Sequence, residues 1–191
     1  SQPQAWPLLY QCHGVELRDV LQLQQRDGHT WQVLLVPDQL LKNKKYRLKP
    51  LIRPFVQLLA ASSQQSVQQI IIAADGMLQW CVPSVTQANA ILEQYIATWL
   101  DGLNRPLPIE LSLAETWLTA KQKDQELRNK IAKQFLGEES RSKAVADDPY
   151  ISRVFADFEQ LWSSESEQLA TVLYQPLLDV LAQATWQEMG E

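Results

Sequence analysis

The sequence is poor in the residues that build common catalytic and metal sites. Its 191 residues include two cysteines, two histidines and six glycines. Cys12 and Cys81 lie far apart and form no CxxC pair or Cys/His cluster, which argues against a disulfide framework and a zinc site. Both are predicted to be small buried hydrophobic residues. We expect no metal ion and no cofactor.

The few glycines and histidines exclude further classes of protein. The glycines cannot supply a GxxxxGK[ST] phosphate loop or a GxGxxG dinucleotide turn, so no nucleotide-driven motor is expected in this segment. His13 and His29 lack a serine or cysteine partner in a strand-turn-helix setting, so neither is predicted to be a catalytic base.

Long apolar runs and targeting signals are also missing. No stretch approaches the ~18–20 residues of a membrane span, and no signal pattern precedes the first elements. The sequence therefore predicts a cytoplasmic protein without a membrane partner. Because it begins with Ser1 rather than methionine, we expect it to be part of a longer chain.

Charge is distributed unevenly along the chain. The formal net charge is −5, but residues 1–60 contain eight Lys/Arg against four Asp/Glu, whereas residues 61–191 contain nine against eighteen. Six basic residues fall within twelve positions that contain no acid: Lys42, Lys44, Lys45, Arg47, Lys49 and Arg53. They lead from a strand end into a helix start, where free backbone N–H groups also favour anions. We predict that they contact DNA phosphates; the alternative is a solvated loop without a ligand.

Two β-hairpins and a helix are predicted in the first part. The strand-like runs 15–25 and 31–36 flank Asp27-Gly28, and the runs 67–74 and 77–82 flank Asp75-Gly76, a dipeptide that favours tight hairpin turns. Apolar residues at helical spacing predict a helix between the hairpins, with Pro50 at its start and a kink at Pro54. The predicted order is β-β-α-β-β.

The remainder is predicted to be helical, with a polar surface loop over residues 138–148. Capping boxes begin helices at Ser84, Ser112 and Ser164, and Asp148-Pro149 begins another. Gly102 and Gly137 are expected to end the first two, and Pro176 to interrupt the last.

The predicted fold class is therefore α/β, with a small mixed sheet from two β-hairpins and a flanking C-terminal helical part. Residues 1–103 are expected to form the α/β core. Residues 104–191 form the helical part packed on or beside it, in one structural domain overall.

Metal-dependent nuclease chemistry requires two carboxylates and a lysine at the end of a hairpin. In the PD-(D/E)xK superfamily the last two ligands appear as Asp/Glu-x-Lys, and that triplet occurs nowhere in this sequence. No catalytic residue is therefore predicted. The alternative is an active nuclease that uses Asp19, Asp38 and a lysine from a shifted position, Lys42 or Lys44.

Seven tryptophans are many for this length. Most fall on apolar stripes and are predicted to lie in the core. Trp6 and Trp186 lie near the ends, outside any strong periodicity. Because tryptophan is common at protein interfaces, these two are predicted to contact a partner.

Five segments occur along the chain in this order: LLVPDQLLKNKKYRLKPLIRPFVQLLAAS, IIIAADGMLQWCVP, GLNRPLPIELSLAETWL, DDPYISRVFADFEQLW and VLYQPLLDVLA. Their ordered series resembles the C-terminal region of RecC, the gamma chain of bacterial exodeoxyribonuclease V (RecBCD). The resemblance covers about residues 10 to 185.

The resemblance implies a degenerate PD-(D/E)xK (restriction-endonuclease-like) core. Nuclease-bearing relatives carry ligands on a G-x-I-D strand and a D-Y-K strand, followed by a Q-L-x-x-Y helix. Aligning on Gly14 puts Leu17 at the first acid, and aligning on Asp19 puts Gln22 there. Val36-Pro37-Asp38 stands in place of D-Y-K, so the ligand set is incomplete.

The resemblance also implies a role without catalysis. The gamma chain joins the subunits RecB and RecD and guides duplex-end or single-stranded DNA in a helicase-nuclease of double-strand break repair and homologous recombination. Its C-terminal region is implicated in assembling RecD. A protein-binding adaptor without a DNA role remains the other alternative.

Overall fold

The computed structural model describes residues 2–138 and 144–188. The strands within these residues are β1 Gln4–Cys12, β2 Val15–Arg26, β3 His29–Val36, β4 Leu41–Lys42, β5 Lys45–Tyr46, β6 Val67–Ala73, β7 Gly76–Cys81 and β8 Thr185–Glu188. The helices are α1 Lys49–Ser62, α2 Val85–Asn104, α3 Leu111–Thr119, α4 Gln125–Leu136, α5 Ile151–Val154, α6 Phe158–Leu161 and α7 Ser164–Leu181, with a 3₁₀ turn at Val145–Asp147. Residues 139–143 of the predicted surface loop lie outside the described residues.

Six strands form one mixed sheet in the order β1-β2-β3-β6-β7-β8, and β4 and β5 form a separate hairpin. The β3–β6 pair is parallel and is connected through α1, while the other neighbouring pairs are antiparallel. The predicted α/β class with a mixed sheet is confirmed. The sheet is larger than two hairpins because β1 and β8 add to its edges.

Strand β2 of the first predicted hairpin pairs with β3 at one end and with β1 along the rest of its length. Asp27 and Gly28 form its turn with φ values of 52° and 77°. Pairing of β2 with β3 extends only from Arg26↔His29 to Gln24↔Trp31. The preceding part of β2 pairs with β1 instead, up to Cys12↔Val15 at the turn between them. The part of β2 that precedes Gln24 is therefore not paired with β3 and forms a two-stranded ribbon with β1.

The sheet has two unlike faces because side chains alternate along each strand. Helix α1 contacts β6, β3 and β1 on the inner face. Fully buried Ile71 and Leu78 point to this side. The outer face carries the alternate positions of the same strands, which are exposed or half-buried. Its apolar members on β3, β6 and β7 are Trp31, Val33, Leu35, Ile70, Ile72, Met77 and Cys81.

A buried amide network crosses the inner face. Gln69 Nε2 donates to Gln32 Oε1 at 2.7 Å and to the Pro54 carbonyl at 3.0 Å. Trp80 Nε1 donates to Gln69 Oε1 at 2.5 Å. Since buried polar groups are costly unless paired, this network favours one register of β3, β6, β7 and α1.

The helical region differs from its predicted boundaries. The helix expected from Ser112 to Gly137 is two helices, because Asp124 caps a second one and accepts from Leu127 N at 3.0 Å. The first begins at Leu111, and its cap is Glu110 rather than Ser112, accepting from Leu113 N at 2.9 Å. Gly137 ends α4 with φ 74°, as predicted.

The remaining helices also correct the sequence prediction. The single helix expected after Asp148-Pro149 is two short helices, α5 and α6, and Asp157 caps the second by accepting from Gln160 N at 2.9 Å. Helix α7 continues through Pro176 to Leu181, so Pro176 does not end it.

The chain divides into two compact units, Ser1–Ala97 with Leu177–Glu191, and Thr98–Pro176. The first holds the sheet. The second has its own core, built around Leu113, Ile131, Phe135, Leu161 and Trp162. The boundary expected at residue 103 stays a prediction. None of the described helices combines the length and the apolar character that crossing a bilayer requires.

Candidate nucleic-acid interface

The basic segment forms a compact hairpin. Lys42 on β4 pairs with Lys45 on β5, and Asn43 and Lys44 form a two-residue turn between them. Both turn residues have positive φ, 52° and 61°, as the two central positions of a type I′ turn require. Directly opposite residues lie about 4.5–5.5 Å apart at Cβ, so the structure brings two lysines together, with a third at the tip.

A carboxylate outside the basic segment anchors this hairpin. Asp75, in the β6–β7 turn, accepts hydrogen bonds from the backbone N–H groups of Leu40 at 2.9 Å and Leu41 at 2.8 Å. In return, Ala74 N donates to the Asp38 carbonyl at 3.3 Å. Hydrogen bonds to an ionised carboxylate are among the stronger ones in proteins. The basic hairpin is therefore fixed to the turn of the second hairpin of the sheet.

The base of the hairpin is closed by further contacts. Arg47 donates its backbone N–H to the Leu40 carbonyl at 2.8 Å and its Nη1 to the Gln39 carbonyl at 2.9 Å. Leu40, which precedes β4, and Leu48, which follows β5, are both buried. The guanidinium of Arg47 thus serves partly to close the loop, which leaves fewer of its N–H groups for a ligand.

An aromatic pair supports the hairpin from β8. The rings of Tyr46 and Trp186 meet edge to face with centroids 6.1 Å apart. Burial raises the pKa of Tyr46 above its ordinary value. Trp186 also covers Gly76, where the indole ring leaves no room for a Cβ atom. The predicted interface role of Trp186 stays a prediction; the structure places this ring within its own unit.

All six residues of the predicted phosphate site are exposed. Lys49 begins α1, and Arg53 follows four residues later on the same side of the helix. The first turn of α1 contains no acid. Within the part of the chain that the structure describes, none of the six forms an ion pair. Their contact with phosphate stays a prediction.

The candidate nuclease residues lie on separate elements. Asp19 is exposed on β2 opposite Leu8, and its Oδ1 accepts from Val20 N at 2.8 Å. Asp38 is exposed after the end of β3. In residues 2–138 and 144–188, no group of three or more His, Cys, Asp or Glu side chains is placed to hold a metal ion.

The remaining singled-out residues are spread over the sheet. His13 lies in the β1–β2 turn with φ 50°, and His29 begins β3. Cys12 and Cys81 are free and half-buried. Trp6, on β1, is 37% exposed and donates from Nε1 to Gln64 Oε1 at 3.2 Å. Its interface role stays a prediction.

Sequence reasoning missed the anchoring role of Asp75. The sequence predicted only a turn at Asp75-Gly76. Nothing in the local pattern indicates that the Asp75 carboxylate accepts from Leu40 and Leu41, which lie 35 and 34 positions earlier in the chain. It also missed the support from Trp186, since β8 was not predicted.

The comparison with protein families concerns the first two thirds of the chain. Residues 1–122 match the model of a family described as the RecC C-terminal domain. No curated protein matches the chain. The matched range contains β1 to β7, the basic hairpin and helices α1 to α3. Because it covers more than half of the sequence, the chain belongs to the RecC C-terminal domain family.

Proposed function

We propose that the chain is a non-catalytic scaffold and DNA-guiding domain of the exodeoxyribonuclease V gamma subunit. Family membership supports a place in the RecBCD complex with RecB and RecD, the cytoplasmic helicase-nuclease of double-strand break repair and recombination. In this role the chain contributes surfaces rather than chemistry. The DNA in the assembled complex is a duplex end or a single strand.

The observation that carries the DNA-guiding part is the anchored basic hairpin. Lys42, Lys44 and Lys45 are exposed on a turn whose base is held by Asp75. Fixing the backbone reduces the conformational entropy that a flexible loop would lose on binding. Lysines that meet phosphates release counterions, which supplies affinity without reading sequence. The hairpin is therefore suited to guide a strand of any sequence.

The absence of catalysis follows in this proposal from a degenerate nuclease core. The succession of β1, β2 and β3, helix α1 and parallel β6 supports such a core. The buried side chains on these two strands include Leu21 and Leu23 of β2 and Gln32 of β3. Leucine and a hydrogen-bonded amide cannot hold a divalent ion as paired carboxylates do. The two possible alignments with the nuclease motif place Leu17 or Gln22 at the first acid, so neither supplies a carboxylate there.

The DNA contact is tested by neutralising the hairpin. The triple variant Lys42→Gln, Lys44→Gln, Lys45→Gln is expected to bind single-stranded and duplex-end DNA at least ~10-fold more weakly, measured by fluorescence anisotropy. The slope of log K against log salt should fall in magnitude by about 2, since each lost phosphate contact removes ~0.7–0.9. The matched control replaces three exposed lysines of the helical unit, Lys121, Lys130 and Lys133, with Gln and is expected to change neither quantity.

Two other results would replace this proposal. Wild-type chain incubated with single-stranded DNA and magnesium or manganese is expected to leave the DNA intact. Cleavage that disappears in Asp38→Ala would identify an active nuclease instead. Binding to RecB or RecD without any salt-dependent DNA binding would identify a protein adaptor.

A further inference from the structure

The outer face of the sheet carries apolar side chains that are exposed or half-buried. Val33 and Leu35 on β3 are 41% and 78% exposed. The register places Val33 beside Ile70 and Leu35 beside Ile72, and Ile72 beside Met77 on β7. These side chains therefore form one continuous surface across three strands. Contiguous exposed apolar surfaces of this kind mark sites of protein interaction.

The three strands of this surface also lack charge. β3, β6 and β7 contain no Asp, Glu, Lys or Arg, and the outward polar residues of β6 and β7 are the amides Gln68 and Gln79. Charged groups appear beyond the ends of the strands, at Arg26 and Asp27. Depletion of charged residues at the centre with a polar rim is the composition of a protein–protein interface core. The occupant that fits is itself neutral and apolar on its contact side.

The dimensions of the surface match one helix. Neighbouring strands lie ~4.8 Å apart, so β3, β6 and β7 span about 10 Å, the diameter of an α-helix. Strands of six to eight residues are roughly 20–26 Å long, the length of about 13–17 helical residues. Helix α1 covers the inner face of these strands. The outer face has the size and the uncharged apolar chemistry that suit one side of an amphipathic helix.

A cavity at one end of the surface provides a place for an anchoring side chain. It has a volume of about 400 Å³ and lies where β2 leaves β3. Trp31, Val33 and Ile70 supply apolar walls, and the polar side chains of Gln24, Arg26, Asp27 and His29 complete its lining. Buried aromatic or aliphatic anchors in such pockets carry much of the binding energy of an interface.

We propose that an amphipathic α-helix of a partner subunit, of about 13–17 residues and neutral along its contact side, docks along β3, β6 and β7. This inference rests on the proposed function, because that function requires the chain to assemble with other subunits. The outer face then serves assembly, and the basic hairpin serves DNA.

The test compares one substitution at two exposed leucines. The chain is mixed with purified RecB and RecD, and binding is measured by surface plasmon resonance. Leu35→Lys and the double variant Val33→Lys, Leu35→Lys are expected to raise the Kd about 10- to 100-fold, since a buried leucine contributes ~1.5–3 kcal/mol. Leu136→Lys, at a leucine of α4 that is 54% exposed, is the matched control and should bind as the wild type does. Circular dichroism verifies that each variant is folded.

The two cysteines give an independent readout within one chain. Cys81 lies on the outer face, whereas Cys12 lies at the far end of β1. Partner binding is expected to slow modification of Cys81 by N-ethylmaleimide and to leave the rate at Cys12 unchanged. With p-benzoylphenylalanine in place of Gln68, cross-links should fall three or four residues apart in the partner, as on one side of a helix.

The outcomes separate the two proposals. If the wild-type chain binds neither RecB nor RecD, the proposed function fails. If it binds one of them and Leu35→Lys binds equally well, with Cys81 unprotected, only the docking surface is wrong. Cross-links two residues apart would indicate a strand and overturn the helix. Self-association of the isolated chain that Leu35→Lys abolishes would assign the surface to a second copy and also overturn the proposal.

Discussion

The two faces of the same sheet differ in what their side chains do. On the inner face, Ile71 is fully buried and Gln69 links β3, β7 and α1 by hydrogen bonds. On the outer face, the neighbouring Gln68, Ile70 and Ile72 remain partly open to solvent. The sequence QQIII thus places chemically identical residues in opposite environments, which makes β6 an internal control for separating stability from binding.

The difference indicates that the hydrophobic content of this sheet exceeds what the chain uses for its own folding. Inner-face residues stabilise the fold through burial. Outer-face residues such as Leu35 gain little of that stabilisation while they are exposed. Substitutions on the inner face should therefore change the free energy of unfolding, and substitutions on the outer face should change association.

The largest expected effect comes from shortening isoleucine on the inner side. Ile71→Ala removes a fully buried side chain and should lower the free energy of unfolding by about 3–5 kcal/mol, through lost transfer energy and the cavity left behind. Ile70→Ala is the matched control and should cost less, about 1.5–2 kcal/mol, because Ile70 keeps part of its exposure. Urea denaturation of both variants measures the difference. Equal losses would mean that the two faces are equally buried in solution.

The next effect concerns the amide network. Gln69→Leu should destabilise the chain by about 2–3 kcal/mol, because Trp80 Nε1–H and Gln32 Oε1 lose their partner within the core. The same change at the adjacent outer position, Gln68→Leu, should be nearly neutral. Urea denaturation and the tryptophan fluorescence of the folded state report both variants. A neutral Gln69→Leu would show that the network contributes nothing to stability.

The sequence predicted the parts of the fold that local chemistry determines. Asp27-Gly28 is a hairpin turn because this dipeptide suits a tight turn, and apolar spacing located α1. The second hairpin also forms, but its turn is Ala74-Asp75, and Gly76 is already the first residue of β7. Gly137 ends α4 because glycine adopts positive φ at low cost. The resemblance to the RecC C-terminal domain was confirmed by the family match.

The edge strands were not predictable from the same signals. β1 contains Pro7, which weakens a strand pattern, and its turn uses His13 at φ 50° before Gly14. β8 has four residues, and its pairing with β7 joins positions more than 100 residues apart. Such pairing depends on tertiary contacts rather than on local propensity. For the same reason, the positions of the six basic residues were visible in the sequence, whereas their anchor at Asp75 was not.

The smallest expected effect is a pH dependence of the free energy of unfolding. It arises from Tyr10, which lies on the ribbon formed by β1 and β2. Burial, together with nearby Cys12 and Glu93, raises the pKa of Tyr10 to about 12 from its ordinary value of 10.0. The hydroxyl donates to the Asn89 carbonyl at 3.4 Å, a bond that the phenolate cannot make.

Because the raised pKa belongs to the folded state, the unfolded chain releases this proton first as the pH increases. Tyr10 therefore lowers the free energy of unfolding progressively between pH 10 and about 12, and has no such effect below pH 10. Tyr10→Phe should make the free energy of unfolding fall less steeply over this pH range. In a titration followed by tyrosinate absorbance, the folded variant should lack one phenol that ionises at high pH. An unchanged decline in the variant would mean that Tyr10 titrates alike in both states, and that the ribbon is as open to solvent as the outer face of the sheet.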